Sequence, residues 1–121
     1  TPPNYTQVTN PALTSHLNFV LQTQKPYTNS LLTLDDFAKL MKVSTDELLH
    51  EIKSRKFQTF EEFIHFHRIQ EARKLIESME LDTVDDILYK VGFTNKNYFN
   101  LIFEEITGLK SNYYIKNVVK G

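Results

Sequence analysis

The sequence of 121 residues contains no cysteine and no tryptophan, and only three glycines and four prolines. Without cysteine, a disulfide framework, a thiolate zinc site and a cysteine nucleophile are all excluded. No apolar run approaches the roughly 18 residues that a membrane-spanning helix needs. The chain opens on Thr1 without a methionine or a signal-peptide pattern, so we expect it to be part of a longer, cytoplasmic protein.

Charge and proline placement restrict the class further. The 14 Lys and Arg nearly balance 15 Asp and Glu, for a net charge of −1, which excludes a uniformly basic nucleic-acid binder but not a locally basic one. All four prolines lie at or before position 26. Because little in residues 27–121 removes a backbone donor or adds chain entropy, helices can run there. The predicted fold class is all-α.

Helix start signals predict seven helices. Asn10 before Pro11 is typical of an N-cap, and Pro26 closes that first helix. Further starts are predicted by four capping pairs, each a Ser or Thr with an acid three residues later: Thr33/Asp36, Ser44/Glu47, Thr59/Glu62 and Thr83/Asp86. The later helices are predicted at 34–41, 45–54, 60–78, 84–90, 95–106 and, as a short one, after Ser111.

An internal repeat organises these helices. Residues 34–44 align with 84–94, and each copy has the pattern of a short helix, a tight turn and a second helix starting at Ser44 or Thr94, which is the helix-turn-helix plan. Gly92 suits the second turn because glycine adopts left-handed backbone angles without a Cβ clash. Beyond the turn, the separation in sequence between corresponding residues of the two copies grows by one residue, so that Leu48 corresponds to Phe99 and Ile52 to Phe103.

The helix between the copies changes its apolar stripe midway. The first stripe consists of Phe60, Phe63 and Ile64, and the second, roughly 120° further round, of Ile69, Ala72, Leu75, Ile76 and Met79. A helix that packs on one core keeps one stripe, so this one is predicted to be a shared linker about 28 Å long. The predicted organisation is a disordered lead-in (1–9), an N-terminal helix and linker (10–30), a first helix-turn-helix subdomain (31–58), the linker helix (59–79) and a second subdomain (80–121).

Several motifs carry a resemblance to a known family. They are Leu34-x-x-Phe37-Ala38, Ser44-x-x-x-Leu48, Phe60-x-x-Phe63-Ile64, Arg68-Ile69-x-x-Ala72-Arg73-Lys74-Leu75-Ile76, Gly92-Phe93-Thr94-x-x-x-Tyr98-Phe99-x-x-x-Phe103 and Thr107-Gly108. The segment from about Leu31 to Asn117 resembles the DNA-binding domain of AraC/XylS-type transcription regulators. This resemblance implies two recognition helices in successive major-groove segments on one side of a duplex, about 34–36 Å apart.

Binding partners and an oligomeric state can also be expected. Double-stranded DNA is the expected partner, the transcription machinery is a possible second one, and no membrane contact is expected. The fragment is expected to be a monomer because no heptad seam is left outside the core, whereas the longer protein could be a dimer.

The chain departs from the family pattern at five places: Leu49, Phe57 for glycine, Leu101, Glu104-Glu105 for Lys-Lys, and Ser111 for proline.

Candidate base-reading residues lie on the free faces of the two second helices. They are Thr45 and His50 on the first, and Asn95, Lys96, Asn97, Asn100 and Leu101 on the second. Asparagine can bond adenine N6 and N7 together, and leucine can touch a thymine methyl group. The alternative is that these asparagines are only solvated residues or caps. The expected core stripe of the second helix is Tyr98, Phe99, Ile102, Phe103 and Ile106.

Basic side chains define the candidate phosphate contacts. Lys53, Arg55 and Lys56 form the tightest basic cluster, which phosphate binding and compensation of the helix dipole explain equally well. Arg68 matches an arginine of the family, which implies structural support, and we expect it to pair with an acidic neighbour. Asp46 and Glu47 are interpreted mainly as first-turn capping acids.

Other function classes have less support. The sequence has no Gly-rich phosphate loop, no G-x-S-x-G elbow and no H-E-x-x-H motif, so an enzyme is not predicted. His65 and His67, two residues apart on a helix, face different directions, and no cofactor or metal is expected. The main alternative is a degenerate helical module that acts in protein–protein interaction, which Glu104 and Glu105 motivate.

Overall fold

The computed structural model describes residues 10–78 and 83–120, with side chains as far as Asn117. The helices are α1 (Pro11–Thr23), α2 (Leu34–Met41), α3 (Thr45–Ser54), α4 (Phe60–Glu77), α5 (Val84–Val91), α6 (Lys96–Thr107) and α7 (Ser111–Lys120), with a 3-10 turn at Pro26–Thr28. The described residues form helices and turns without a strand, which confirms the all-α prediction. Among these helices, none has the length and apolar character that crossing a membrane requires.

Side-chain caps confirm the five helix starts that were predicted from an N-cap or a capping pair. Asn10 Oδ1 accepts from the N–H groups of Ala12 and Leu13. The hydroxyl oxygens of Thr33, Ser44, Thr59 and Thr83 each accept from the N–H three residues later. This bond satisfies one of the backbone donors that a helix start leaves without a partner.

The reciprocal half of a capping box is present at Ser44 and Glu47, where the Glu47 carboxylate accepts from the Ser44 N–H at 3.1 Å. Elsewhere the acids bond differently: the Glu62 carboxylate accepts from the Gln58 N–H, and the Asp86 carboxylate accepts from the Thr83 hydroxyl. Asp86 has one methylene fewer than a glutamate, so its carboxylate reaches less far back along the helix, whereas the Glu62 carboxylate reaches past Thr59 to Gln58. The four sequence matches therefore identify helix starts correctly but not four full capping boxes.

The two tight turns differ by one residue. Between α2 and α3 the turn is 42–44, with Lys42 in the left-handed conformation at φ +62°. Between α5 and α6 it is 92–95, with Gly92 at φ +110°. The N-cap of α6 is Asn95, so the prediction that this helix starts at Thr94 is wrong by one residue. The longer second turn accounts for the growing offset of the repeat.

The chain divides into two compact units. The first comprises the described residues up to Pro26 together with Leu31–Phe63, and the second comprises Tyr27–Ser30 and the described residues from Ile64 onward. The boundary along the chain thus falls inside α4. Its two predicted stripes are both buried, except that Met79 lies outside the described residues.

The first unit has a core of aliphatic and aromatic side chains. The predicted stripe of α1, Leu13, Leu17, Val20 and Leu21, is buried in it. Phe37 of α2 packs against the rings of Phe60 and Phe63 at 6.2 and 6.3 Å between centroids. Such ring pairs add to the stabilisation from buried apolar area.

The second unit has its own core. Its members are Ile69, Ala72, Leu75, Ile76, Val84, Ile87, Leu88, Val91, Phe93, Phe99, Ile102, Phe103 and Tyr114. An aromatic series runs through it, from Phe93 to Phe99 at 5.3 Å, then to Phe103 at 5.7 Å and to Tyr114 at 5.5 Å. This series fixes the buried side of α6 and therefore determines which side of that helix faces solvent.

Candidate nucleic-acid interface

The outer face of α6 is exposed and chemically mixed. Lys96, Asn97, Leu101 and Glu104 are exposed on it, whereas Phe99, Ile102 and Phe103 are buried. Leu101 is the notable apolar member, with 54% of its surface accessible. A helix with a buried aromatic stripe and an exposed opposite face is the arrangement that a recognition helix requires.

The predicted core stripe of α6 needs correction at its edges. Tyr98 is 44% exposed, and its hydroxyl lies 3.2 Å from Nε2 of His65 at the surface of the second unit. Ile106 is only partly buried against the core. The angular position of a residue on a helix does not show how far neighbouring elements extend around that helix. Burial is therefore hardest to predict for residues at the edges of an apolar stripe.

Three of the five predicted base-reading residues on α6 have partners within the second unit. Asn95 Oδ1 is the N-cap acceptor for the Tyr98 N–H at 2.8 Å. The ammonium of Lys96 lies 3.4 Å from Asp85, with both side chains well exposed. Asn100 is half-buried, and its Oδ1 accepts from the Ser111 hydroxyl at 2.5 Å. Asn95 thus serves as an N-cap, which is the role that the alternative interpretation gives it.

The predicted residues on α3 lie in the first unit. Thr45 and His50 are half-buried, and Lys53 is exposed near the C-terminal end of the helix. Glu47 belongs to the capping box, and Asp46 is the other acid of the first turn. The capping interpretation is therefore confirmed for Glu47.

The basic cluster after α3 divides into exposed and engaged members. Lys53 and Lys56 are exposed, and Lys56 adopts a left-handed φ of +76°. Arg55 instead donates through Nε to the Glu51 carboxylate at 3.0 Å and through a terminal nitrogen to the Thr14 carbonyl at 3.2 Å. A guanidinium held in this way has fewer donors left for a phosphate.

Sequence reasoning missed the residue that engages Arg55. Glu51 is 2% exposed, and its carboxylate also accepts from the Thr14 hydroxyl of α1 at 2.9 and 3.0 Å. The spacing of Glu51 and Arg55 at i, i+4 is a helix-pair signal that could have identified the pair. Thr14 could not have been found, because it is 37 residues away in the chain.

The turn after α3 contains one of the departures from the family pattern. Phe57, which stands where the family usually has glycine, packs its ring edge-on against Phe63 at 5.4 Å. The left-handed residue of this turn is its neighbour Lys56. The left-handed backbone thus lies one position before Phe57, and the aromatic ring adds to the first core.

A second polar cluster secures the turn that leads into α6. Arg68 of α4 is buried and donates to the main-chain carbonyls of Tyr27 at 2.6 Å and Asn29 at 3.1 Å. Its guanidinium also lies 5.6 Å from the centre of the Phe93 ring. The expected structural role of Arg68 is confirmed, but it binds main-chain oxygens instead of the predicted acidic neighbour. Burial lowers the pKa of Arg68 from its ordinary value.

Two buried phenols tie neighbouring segments to α4. Burial, together with the adjacent Glu71 carboxylate, raises the pKa of Tyr27. Tyr114 of α7 accepts from Arg73 and donates to Glu77, and burial is the main reason that its pKa is raised. Both side chains therefore remain neutral hydrogen-bonding groups at physiological pH.

The histidines have separate surroundings. His65 stacks on Phe93 at 5.9 Å, and His67 stacks on Tyr27 at 5.8 Å. His16 is exposed on α1. Among residues 10–78 and 83–120, no group of three or more His, Cys, Asp or Glu side chains is placed to hold a metal ion.

The comparison with protein families decides what this arrangement is. A family model described as a helix-turn-helix domain matches residues 37–117. The chain belongs to the AraC-type helix-turn-helix family. Both repeat copies, α2–α3 and α5–α6, lie within the matched segment apart from the start of α2.

Solved structures of other regulators resemble this AraC-type domain. The C-terminal domain of AraT, a response regulator from Geobacillus stearothermophilus, matches at 27% identity and a TM-score of 0.70, covering 89% of this chain and 86% of that one. The C-terminal domain of the two-component response regulator YesN from Fusobacterium nucleatum subsp. nucleatum matches in fold at 24% identity and a TM-score of 0.68, covering 88% and 99%. No match is found among curated proteins.

Proposed function

We propose that this domain binds double-stranded DNA sequence-specifically, with α3 and α6 as recognition helices in successive major-groove segments, and serves as the output domain of a larger transcription regulator. The observation that carries the proposal is the exposed outer face of α6, with Asn97 and Leu101 side by side on a helix whose opposite face is buried. The likeness to the C-terminal domain of a response regulator supports the role as an output domain.

Asn97 and Leu101 supply complementary readout chemistry. The carboxamide of Asn97 can accept from adenine N6 while it donates to N7, and the Leu101 methyl groups can touch the thymine C5-methyl group. These two residues are one helical turn apart. We propose that together they read a short A·T-containing segment.

The first unit supplies further contacts. Thr45 and His50 are the proposed base-reading residues of α3, and Lys53 and Lys56 are the proposed phosphate contacts. Phosphate contacts fix register and orientation on the duplex but carry no sequence information directly. Arg55 is better assigned to the fold, since its guanidinium is bonded to Glu51 and Thr14.

The direct test is selection of duplexes from a randomised pool by the 121-residue chain, followed by sequencing of the bound fraction. The chain should enrich a defined site, and Asn97→Ala should lose preference at one position by about tenfold. Asn18→Ala, which removes an exposed asparagine of α1, is the matched control and should select the same site as the unchanged chain. Enrichment of no sequence, or identical selection by Asn97→Ala, would contradict the proposal.

The use of two helices has its own readout. His50→Ala should alter preference about 10 base pairs away from the position that Asn97→Ala alters, because successive major-groove segments on one side of a duplex are one helical turn apart. If both substitutions affect the same positions, the two helices do not read successive segments, and if His50→Ala affects none, His50 does not read bases.

A protein-interaction module is the second candidate, favoured by the exposed carboxylates of Glu104 and Glu105 on α6. The two candidates differ in salt dependence. Phosphate contacts make the logarithm of the duplex affinity fall linearly with the logarithm of salt concentration. Absence of duplex binding even at low salt would favour the interaction module.

A further inference from the structure

We propose that Ser111 is a positioning residue that holds the side-chain amide of Asn100 with its NH₂ group toward the DNA, so that Asn100 prefers guanine to adenine. This inference rests on the proposed function, because it concerns the base specificity of α6. It assigns to Asn100 a different base from the one that its residue type alone predicts.

The geometry that carries the inference is a short side-chain contact. The Ser111 hydroxyl donates to Asn100 Oδ1 at 2.5 Å, across the corner between α6 and α7. Ser111 is 2% exposed, whereas Asn100 is half-buried at the flank of the exposed face of α6. The serine therefore sits on the core side of the asparagine, and the amide oxygen points to it.

The orientation follows from the donor and acceptor inventory. A serine hydroxyl donates one proton and can also accept, and an asparagine carboxamide has one oxygen and one NH₂ group on opposite branches; here the hydroxyl is the donor and Oδ1 the acceptor. Because the oxygen is bonded to buried Ser111, the NH₂ group occupies the other branch. In the opposite orientation the NH₂ group would donate to the Ser111 oxygen and Oδ1 would lie on the other branch, so the two orientations predict different base preferences.

Base edges respond differently to such an amide. Guanine presents two acceptors in the major groove, N7 and O6, and an NH₂ group can donate to both. Adenine presents the N7 acceptor beside the N6 donor, so its bidentate partner must offer an oxygen as well as an NH₂ group. With Oδ1 directed to Ser111, Asn100 matches guanine better, whereas the exposed Asn97 keeps the residue type's usual match to adenine.

The experiment first locates the base that Asn100 reads. Duplex selection with Asn100→Ala identifies the position at which preference is lost relative to the unchanged chain. Affinities are then measured for two duplexes that differ only there, with guanine or adenine. Each protein is reported by the ratio of its two affinities, and this ratio does not depend on the fraction of the sample that is folded.

We expect the unchanged chain to prefer guanine at this position and Ser111→Ala to reduce the guanine-to-adenine ratio by about fivefold to tenfold. Ser111→Thr, which keeps the hydroxyl, should preserve the ratio. Asn100→Asp, which keeps the acceptor for Ser111 but lacks the NH₂ group, should lose the guanine preference. Preferences at all other positions should stay as they are in the unchanged chain.

Other outcomes would overturn the inference. An unaltered ratio for Ser111→Ala would show that the serine does not orient the amide, and an adenine preference in the unchanged chain would show the opposite orientation. Weakening of both duplexes by the same factor would mean that Ser111 acts on stability alone. If the unchanged chain selects no site, the proposed function itself fails, whereas selection that Asn100→Ala leaves unaltered contradicts only this inference.

Discussion

A Cβ atom at Gly92 would lie 2.5 Å from the main-chain oxygen of Tyr27, which is the same oxygen that Arg68 binds. It would also lie 2.8 Å from Nε of Arg68. The turn between α5 and α6 therefore depends on glycine for two reasons, the left-handed backbone at φ +110° and the close approach of the 27–30 segment. This segment and Arg68 thus support the start of α6, the proposed recognition helix.

Gly92 and Gly108, which end α5 and α6, provide a matched pair for testing how much the close approach at Gly92 contributes to stability. Gly92→Ala should reduce the free energy of unfolding by about 3 kcal/mol or more, because the left-handed backbone costs about 1–2 kcal/mol in an L-residue and the clash adds to it. Gly108 has φ +79° and no atom within 4 Å of its added Cβ, so Gly108→Ala should cost only about 1 kcal/mol. Urea unfolding of both variants measures the difference, and equal costs would show that the close approach is relieved without effect.

The basic cluster after α3 should divide by function. Lys53→Gln should weaken binding to all duplexes alike and lower the salt slope by about one unit without altering stability, because Lys53 is exposed. Arg55→Gln should instead reduce the free energy of unfolding by about 2 kcal/mol, since it leaves buried Glu51 without its guanidinium partner. Urea unfolding and duplex titration at several salt concentrations separate the two, and a stable Arg55→Gln variant with a reduced slope would restore Arg55 to the phosphate contacts.

The acidic end of α6 should limit affinity. Glu104 is one turn beyond Asn100, on the exposed side of the helix. Glu104→Lys should tighten duplex binding by about fivefold to tenfold at about 50 mM salt, with a smaller gain as salt rises. A lysine near the C-terminal end of a helix also suits the helix dipole, so folding should be unharmed.

Glu105→Lys is the control for the Glu104 prediction, since it makes the same charge change one residue further round the helix. Its gain in affinity should be smaller. Equal gains would indicate general electrostatic attraction, and no gain at low salt for Glu104→Lys would mean that this face of α6 does not approach DNA.

The first helix-turn-helix turn should be improvable at its left-handed lysine. Lys42 ends α2 at φ +62° in the position that Gly92 occupies in the second copy. Lys42→Gly should raise the free energy of unfolding by about 0.5–1 kcal/mol, because glycine adopts this conformation without Cβ strain. Lys39→Gly, within the last turn of the same helix, should lower it by about 1 kcal/mol. Thermal unfolding of the two variants gives the comparison, and destabilisation by both would show that the side chain of Lys42 contributes more than its strain.

The sequence by itself determined the helices, most of their starts and the centres of their buried stripes. These features depend on residues three or four apart, such as Thr33 and Asp36 or Phe60 and Phe63, and a single helical turn brings such residues together in any protein. The internal repeat predicted the two turns. The alignment of its copies shifts by one residue after the turn, which already indicated the longer second turn that ends at Asn95.

Only the tertiary structure decided which polar groups bind each other. Thr14 and Glu51 are 37 residues apart, and Arg68 and the Tyr27 carbonyl are 41 apart. No local spacing specifies such pairs, because a main-chain carbonyl or a hydroxyl can serve any donor or acceptor that the fold brings near it. The same holds for the bond between Arg55 and the Thr14 carbonyl and for the bond between Ser111 and Asn100, since the side chains of Arg55 and Asn100 can each reach either solvent or a protein partner. Packing between helices, and not helical periodicity, determines whether such a side chain faces solvent or binds a protein partner.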